Sequence, residues 1–230
     1  MITLVGVGHV FDISAQVRAI ILETAPVAVG LELDGNRLAG LLARDRGEEL
    51  PRQRDMLARF QERIAKDFGV EAGDEMLAGY KAATEINAKV FVIDMDINRV
   101  IMRIQSQLTV KERLKMFGAI FATPFIRRKT VEKELMRYEE EGDSYLEEVG
   151  RSLPTVKRVL LDERNEHMAQ YVLKIEERYG SVLALVGDGH VPGMARLMPH
   201  ADVRTVRLKE VRNWKPAELA QASISYTFNA

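Results

Sequence analysis

The chain has no cysteine among its 230 residues. Disulfides, thiolate metal sites and cysteine nucleophiles are excluded, and any metal is left to nitrogen and oxygen ligands. An excess of charge is lacking too: 33 Lys and Arg against 34 Asp and Glu leave a formal net charge of −1. So balanced a chain gives no electrostatic ground for binding nucleic acid or an anionic membrane surface. No apolar run approaches the roughly 20 residues of a membrane span. The opening MITLVGVGHVFDI has no basic segment, and glycines and a histidine interrupt it, unlike a secretory signal. These absences describe a cytoplasmic protein with no nucleic-acid partner and no membrane span. No low-complexity linker divides the sequence, so residues 1–230 read as a single domain able to bury a sizeable core.

Histidine is scarce, with four in all, yet two of them occupy matching places. Gly6-Val7-Gly8-His9 follows the apolar run Ile2 to Val5, and Gly187-Asp188-Gly189-His190 follows Val182 to Val186. A buried strand ending in a glycine-rich turn delivers its next side chain to the carboxyl edge of a parallel sheet, where ligands bind in open α/β folds. One such tetrapeptide is explained by turn geometry alone. Its recurrence near both ends of the chain points to a shared active or metal-binding site.

Residues 2–34 read as strand, helix and strand. The helix is expected from Ser14 as N-cap, with Val17, Ile20, Ile21 and Thr24 on one face, and Pro26 ends it. A buried strand spans 27–34. A charged helical stretch covers 35–68, a helix covers 75–86, and a strand at 90–93 leads into Asp94-Met95-Asp96. Residues 98–179 are helical in pattern, with an insertion at about 105–160. The chain then returns to a strand at 182–186, a short helix at 192–198 and a strand at 203–208. The tail from Arg212, with Trp214, has no clear assignment. The fold class is α/β: a mixed, mainly parallel sheet flanked by helices, built from two strand–GxGH–helix repeats with a helical insertion. In the insertion, Met116, Phe117, Ile120, Phe121 and Phe125 form an apolar face, read as a homodimer contact in preference to a lid.

The strand ends gather His9, Glu32, Asp34, Asp94, Asp96 and His190. Histidine with carboxylate suits a divalent ion such as Mn, Co or Zn, or serves as a general base on water without metal. Asp34, Asp94 and Asp96 are equally suited to capping the helices that follow them. Glu32 differs: an acid between Leu31 and Leu33 in an apolar strand implies a partner or a function. Glu163 and His167 are four apart on one helix face, a spacing that could bind a metal, and are read as an exposed ion pair in preference to it. Arg164 beside them is placed to fix acids or to stabilise an oxyanion.

Taken in order, Gly6 to Val10, Val29 to Asp34 with Arg37, Gly73 to Met76, Val92 to Ile97 with Arg99 and Arg103, Asp162 to Arg164 with Met168-Ala169, and Val186 to Met194 resemble the TraB/PrgY/GumN family. Its relatives include Tiki metalloproteases and, more distantly, ChaN-like and erythromycin-esterase-like proteins. The chain departs from the family's usual pattern at Val7, where Thr or Ser is common, and at Met95, where arginine is. The resemblance implies paired repeats around a metal-dependent hydrolase site, acting on peptide or amide bonds and compatible with inactivating a signalling peptide. On that reading His9 and His190 bind the ion, Glu32 is a ligand or general base, and Glu75 is a second candidate base. Arg164, with Arg37 or Arg99, orients carboxylates or stabilises the oxyanion. The substrate is a peptide or small molecule. A metal-free His/Glu hydrolase and a non-catalytic peptide-binding or regulatory protein stand as the alternatives.

Overall fold

The computed structural model describes residues 1–8, 11–48, 73–115 and 143–215. The short apolar segments are strands: β1 (Ile2–Val7), β2 (Ala28–Leu31), β3 (Lys89–Val92), β4 (Val182–Gly187) and β5 (Val203–Val206). They form one sheet in the order β3-β2-β4-β1-β5. The sheet was expected to be mainly parallel, and every pairing among the described residues is parallel. The reason is in the connections. A helix follows each strand and carries the chain back to the same starting edge.

Those helices are α1 (Ser14–Thr24), α2 (Gly35–Asp45), α3 (Asp74–Glu85), α4 (Ile97–Gln107), α5 (Asp143–Ser152), α6 (Pro154–Lys157), α7 (Glu163–Tyr179), α8 (Val191–Arg196) and α9 (Leu208–Arg212). A π turn, Arg158–Asp162, leads into α7, and a 3₁₀ turn, Asp188–His190, follows β4. Residues 110–115 are also helical. Strand side chains alternate between two cores. Leu183 and Leu185 of β4 join Val17, Ile20 and Ile21 of α1 and Met76 of α3 on one face. Val182, Ala184 and Val186 join Met168, Val172 and Ile175 of α7 and Met194 of α8 on the other. With both faces covered, the strands carry continuous apolar sequence rather than alternation.

Several boundaries differ from the sequence pattern for local reasons. Ser14 is the first helical residue, and the cap position falls to Ile13, which makes no side-chain cap bond but is 2% exposed and anchors the entry turn in the core. Strand β2 stops at Leu31 because the Leu33 N–H turns back to the Leu31 carbonyl at 2.7 Å while the Glu32 N–H continues to Leu185 at 3.0 Å. Leu208 opens α9 instead of ending β5, its N–H being taken by Asp188 Oδ1 at 2.7 Å. The apolar positions Met116, Phe117, Ile120, Phe121 and Phe125, residues 49–72 and the tail from 216 lie outside the described residues.

One carboxylate ties the two described ends of the insertion together. Thr109 and Glu112 form a capping box at the start of 110–115: Glu112 Oε2 accepts from Thr109 N at 3.0 Å, and Thr109 Oγ1 accepts from Glu112 N at 3.3 Å. The other oxygen, Oε1, accepts from Thr155 N at 2.7 Å, at the start of α6. Burial pushes the Glu112 carboxyl up, but the donors on Thr109 and Thr155 outweigh it and bring the group to about 2. A free glutamate titrates near 4.3. A depressed group contributes stability above its unfolded value and loses it as pH falls through the folded one. Glu112→Gln is therefore expected to be less stable than wild type at neutral pH, with the difference closing between about pH 4 and 2. Urea unfolding stepped through that range checks this. A gap independent of pH would show that the carboxylate charge contributes nothing.

Candidate active site at the carboxyl edge of the sheet

Three strand ends and one helix bring four charged or titratable groups to a single buried point. The bend after β2 supplies Glu32, the residue that follows Ile93 after β3 supplies Asp94, the turn after β4 supplies His190, and the first turn of α7 supplies Arg164. Glu32 Oε1 accepts from Arg164 Nη2 and lies 3.4 Å from His190 Nε2. Its second oxygen accepts from the Gly187 N–H at 2.5 Å. Asp94 receives Arg164 twice, Nε at 2.9 Å and Nη2 at 2.7 Å, and also accepts from its neighbour Met95 N at 2.8 Å. Arg37 Nη1, from the first turn of α2, stands 3.7 Å from Asp94 Oδ2. The Asp94 side chain is wholly buried, and those of Glu32 and His190 nearly so.

Two buried carboxylates repel each other and are costly to dehydrate unless a cation answers both. The guanidinium of Arg164 does so in a fixed planar geometry that a lysine would not provide. Burial alone would raise the Glu32 carboxyl. The charges of His190 and Arg164, with hydrogen bonds from His190 and the Gly187 N–H, hold it well below the usual carboxylate range. Burial would lower Arg164, but Glu32 and Asp94 raise it above its ordinary value, so it stays charged.

The helix before Arg164 is widened to receive it. In the π turn the Leu160 carbonyl accepts from Arg164 Nη1 at 3.2 Å. Two consecutive ion pairs have the five-residue spacing of that turn, Lys157 with Asp162 at 3.0 Å and Arg158 with Glu163 at 2.5 Å. Such single π turns within α-helices recur at functional sites.

His190 is held on its other side. Its Nδ1 lies 2.7 Å from Asn165 Oδ1, on the residue after Arg164. Asp188, two positions before it, accepts from Arg207 Nε at 2.9 Å and Nη2 at 2.8 Å as well as from Leu208 N. The turn carrying His190 is thereby pinned to β5 and α9. A Cβ at Gly6 would come within 3.1 Å of Asp188 Cγ. The first glycine of one tetrapeptide thus leaves room for the aspartate of the other, and Val7 and Gly187 pair directly across β1 and β4.

The structure therefore brings together Glu32, Arg164, His190 and Arg37 from the expected set, with Asp94. His9 lies outside the described residues. Asp34 and Asp96 are helix caps: Asp34 accepts from Arg37 N at 2.9 Å, and Asp96 from Asn98 N at 2.9 Å and Arg99 N at 3.1 Å. Arg99 is exposed on α4. Glu75 is buried at 1% in the first turn of α3. Glu163 is ion-paired, but with Arg103 at 2.6 Å and Arg158, while the His167 ring packs on Tyr171 with centroids 4.8 Å apart.

Asn165 escaped the sequence reading although a signal was present. It falls three and four positions before Met168 and Ala169, on the apolar stripe of α7, and a polar residue on a buried stripe needs a partner. The Gly187 N–H and the Leu160 carbonyl left no such trace, because every residue carries those groups.

Among the described residues, no three histidine or acidic side chains gather as a ready metal-binding set. Two donors do fit one ion. The 3.4 Å between His190 Nε2 and Glu32 Oε1 matches the edge of a tetrahedron with bonds of about 2.1 Å. The Nδ1 contact to Asn165 is the outer support that metal-bound imidazoles commonly have.

The model of the TraB/PrgY/gumN family matches residues 2–200. An uncharacterized protein of Methanocaldococcus jannaschii is 26% identical over 210 residues, which cover 86% of this chain and 53% of that protein. The chain thus spans about half the length of the curated relative it matches. A structure described as cofacial heme binding to ChaN of Campylobacter jejuni aligns over 90% of this chain and 80% of that chain, with a TM-score of 0.40 and 12% identity.

Proposed function

We propose that this chain, which belongs to the TraB/PrgY/gumN family, is a hydrolase of peptide or amide bonds working with one divalent ion, Mn, Co or Zn. The observation that carries the reading is the pair of buried donors, His190 Nε2 and Glu32 Oε1, 3.4 Å apart at the carboxyl edge of the sheet. His9, from the neighbouring strand's tetrapeptide, is the third ligand on the family resemblance. A bound ion there supplies Lewis acidity toward a substrate carbonyl and makes water a better nucleophile at neutral pH.

The chain's own residues divide the work by their chemistry. Glu32, held ionised by its surroundings, is suited to be a ligand and poorly suited to be the base. Arg164 engages Glu32, Asp94 and the Leu160 carbonyl, so it orders the carboxylates and has little left to offer an oxyanion. Arg37 has a side chain 26% exposed and gives Asp94 an ion pair at 3.7 Å without a hydrogen bond. It is the better donor for a developing oxyanion. The closeness of His190 to Glu32 also supports a second reading, a metal-free base pair acting on water.

Dialysis against Mn²⁺, Co²⁺ or Zn²⁺ followed by elemental analysis is expected to find one ion per chain, with affinity lowered more than about 100-fold in His190→Ala, since even a supporting residue is worth 10–100-fold. Mass spectrometry of a peptide pool should show turnover that depends on that ion. Turnover in metal-free protein would favour the second reading. Binding of peptides without cleavage would make the protein a regulatory binder and end both.

A further inference from the structure

We infer that Arg207 and Asp188 are positioning residues: their ion pair spans the end of β1 and holds the turn that presents the Gly187 N–H and the His190 ring to Glu32. The inference rests on Glu32 and His190 forming the active site. The strand register sets up the span. β1 lies between β4 and β5, with Val7 paired to Gly187 on one side and Val5 to Val206 on the other. Asp188 and Arg207 are the next residues on the two flanking chains, so a contact between them must cross the end of β1. Arg207 makes that contact with two donors, Nε at 2.9 Å and Nη2 at 2.8 Å. Such a fork fixes the direction of a carboxylate as well as its distance.

The path, the far end and the near end of the span all support this role. Its path runs where residue 6 has no side chain: a Cβ on Gly6 would stand 3.1 Å from both the Cα and the Cγ of Asp188. Its far end is anchored at the start of α9. There Arg207 N donates to Glu210 Oε2 at 2.7 Å, and the Arg207 carbonyl accepts from Glu210 N at 2.8 Å and Val211 N at 2.9 Å. Its near end has little to hold itself, since Asp188–His190 is a single 3₁₀ turn of three residues. Yet this turn must keep Gly187 N 2.5 Å from Glu32 Oε2 and His190 Nε2 3.4 Å from Glu32 Oε1. The Arg207 side chain is 35% exposed, so the pair adds little to overall stability, and its effect falls on the placement of the turn.

Amide hydrogen exchange read by proton–nitrogen NMR on the metal-free protein, with the Gly187 resonance assigned, tests this. In wild type that amide donates to a carboxylate, so it is expected at low field and slow to exchange. Arg207→Gln should move it upfield and speed its exchange by about tenfold or more, while Leu183 and Leu185 in the middle of β4 keep their wild-type rates. Arg207→Lys retains the charge without the fork and should fall between the two. Gly6→Ala puts a methyl group in the path of the span and should act as Arg207→Gln does. A Gly187 amide that is unchanged in folded Arg207→Gln overturns the proposal. So does an equal acceleration at Leu183 and Leu185, which would make the ion pair a contributor to overall stability and nothing more. If Gly6→Ala does not fold, the two Arg207 variants still decide. No substrate or metal enters the measurement, so a protein that hydrolyses nothing would end the hydrolase reading and leave this result standing. A Gly187 amide indifferent to residue 207 would do the reverse.

Discussion

Arg164→Met should lower the stability of the protein by about 3–5 kcal/mol, the usual consequence of stranding a buried charge by removing its partner. Methionine keeps much of the volume of the stem, so packing loss is small beside the electrostatic effect. Here two carboxylates, Glu32 and Asp94, lose one guanidinium together, and the Leu160 carbonyl in the π turn loses its donor. The sign of the pH dependence follows from the shift at Glu32. In wild type the carboxyl is depressed, so the pair adds stability above the unfolded value and loses it as pH falls. In the variant the same carboxyl is buried without its partner and is pushed up, so protonation relieves it. The gap between the two proteins should therefore begin to narrow above the free carboxyl value of about 4.3, where the variant takes up its proton, and go on narrowing below it as wild type loses stability. Urea unfolding of both proteins over that range provides the test. A loss below about 1 kcal/mol would mean that water reaches the acids and that the cluster is not the closed unit described above.

Glu32→Gln has the largest expected effect on activity, a fall of more than about 100-fold in turnover and in metal affinity. Its effect on stability should be smaller than that of Arg164→Met, about 1–3 kcal/mol. The difference lies in what remains. Arg164 keeps both hydrogen bonds to Asp94, so its charge is still answered. The new amide, however, faces donors on both sides, Arg164 Nη2 and the Gly187 N–H, and can accept from only one of them. Thermal unfolding set beside metal uptake separates the outcomes. A variant with a large drop in melting temperature and unaltered metal uptake would make Glu32 a structural ion-pair member and nothing more.

The sheet and much of the site could be read from the sequence because burial leaves marks there. Continuous apolar runs named the strands, the paired tetrapeptides located the turn bearing His190, and an acid set between two leucines of an apolar run exposed Glu32. What stayed hidden depends on neighbours that are distant in the chain. Asp34-Gly35-Asn36-Arg37 and Asp96-Ile97-Asn98-Arg99 are nearly the same local sequence, and both aspartates cap the helix that follows. Yet Arg37 approaches Asp94 while Arg99 stands exposed, because α2 leaves the sheet beside the cluster and α4 leaves from the edge strand. No local pattern separates those two arginines. The backbone donor at Gly187 and acceptor at Leu160 are chemically anonymous in a sequence, and only the course of the chain singles them out.

The strand order also governs the sequence of events during synthesis. β4 lies between β1 and β2, so the first two strands made have no direct pairing with each other. Until the ribosome has released Val182–Gly187, each presents an open edge toward a gap that only this late segment fills. Closure joins residues from opposite ends of the chain, a topology of high contact order that folds slowly and exposes unpaired edges meanwhile. Chains cut short before Val182 should accordingly aggregate instead of forming a smaller native core. When β4 does enter, it brings the Gly187 N–H to Glu32 and His190 to the same carboxylate in one stroke, so the core and the chemistry of this protein are completed together.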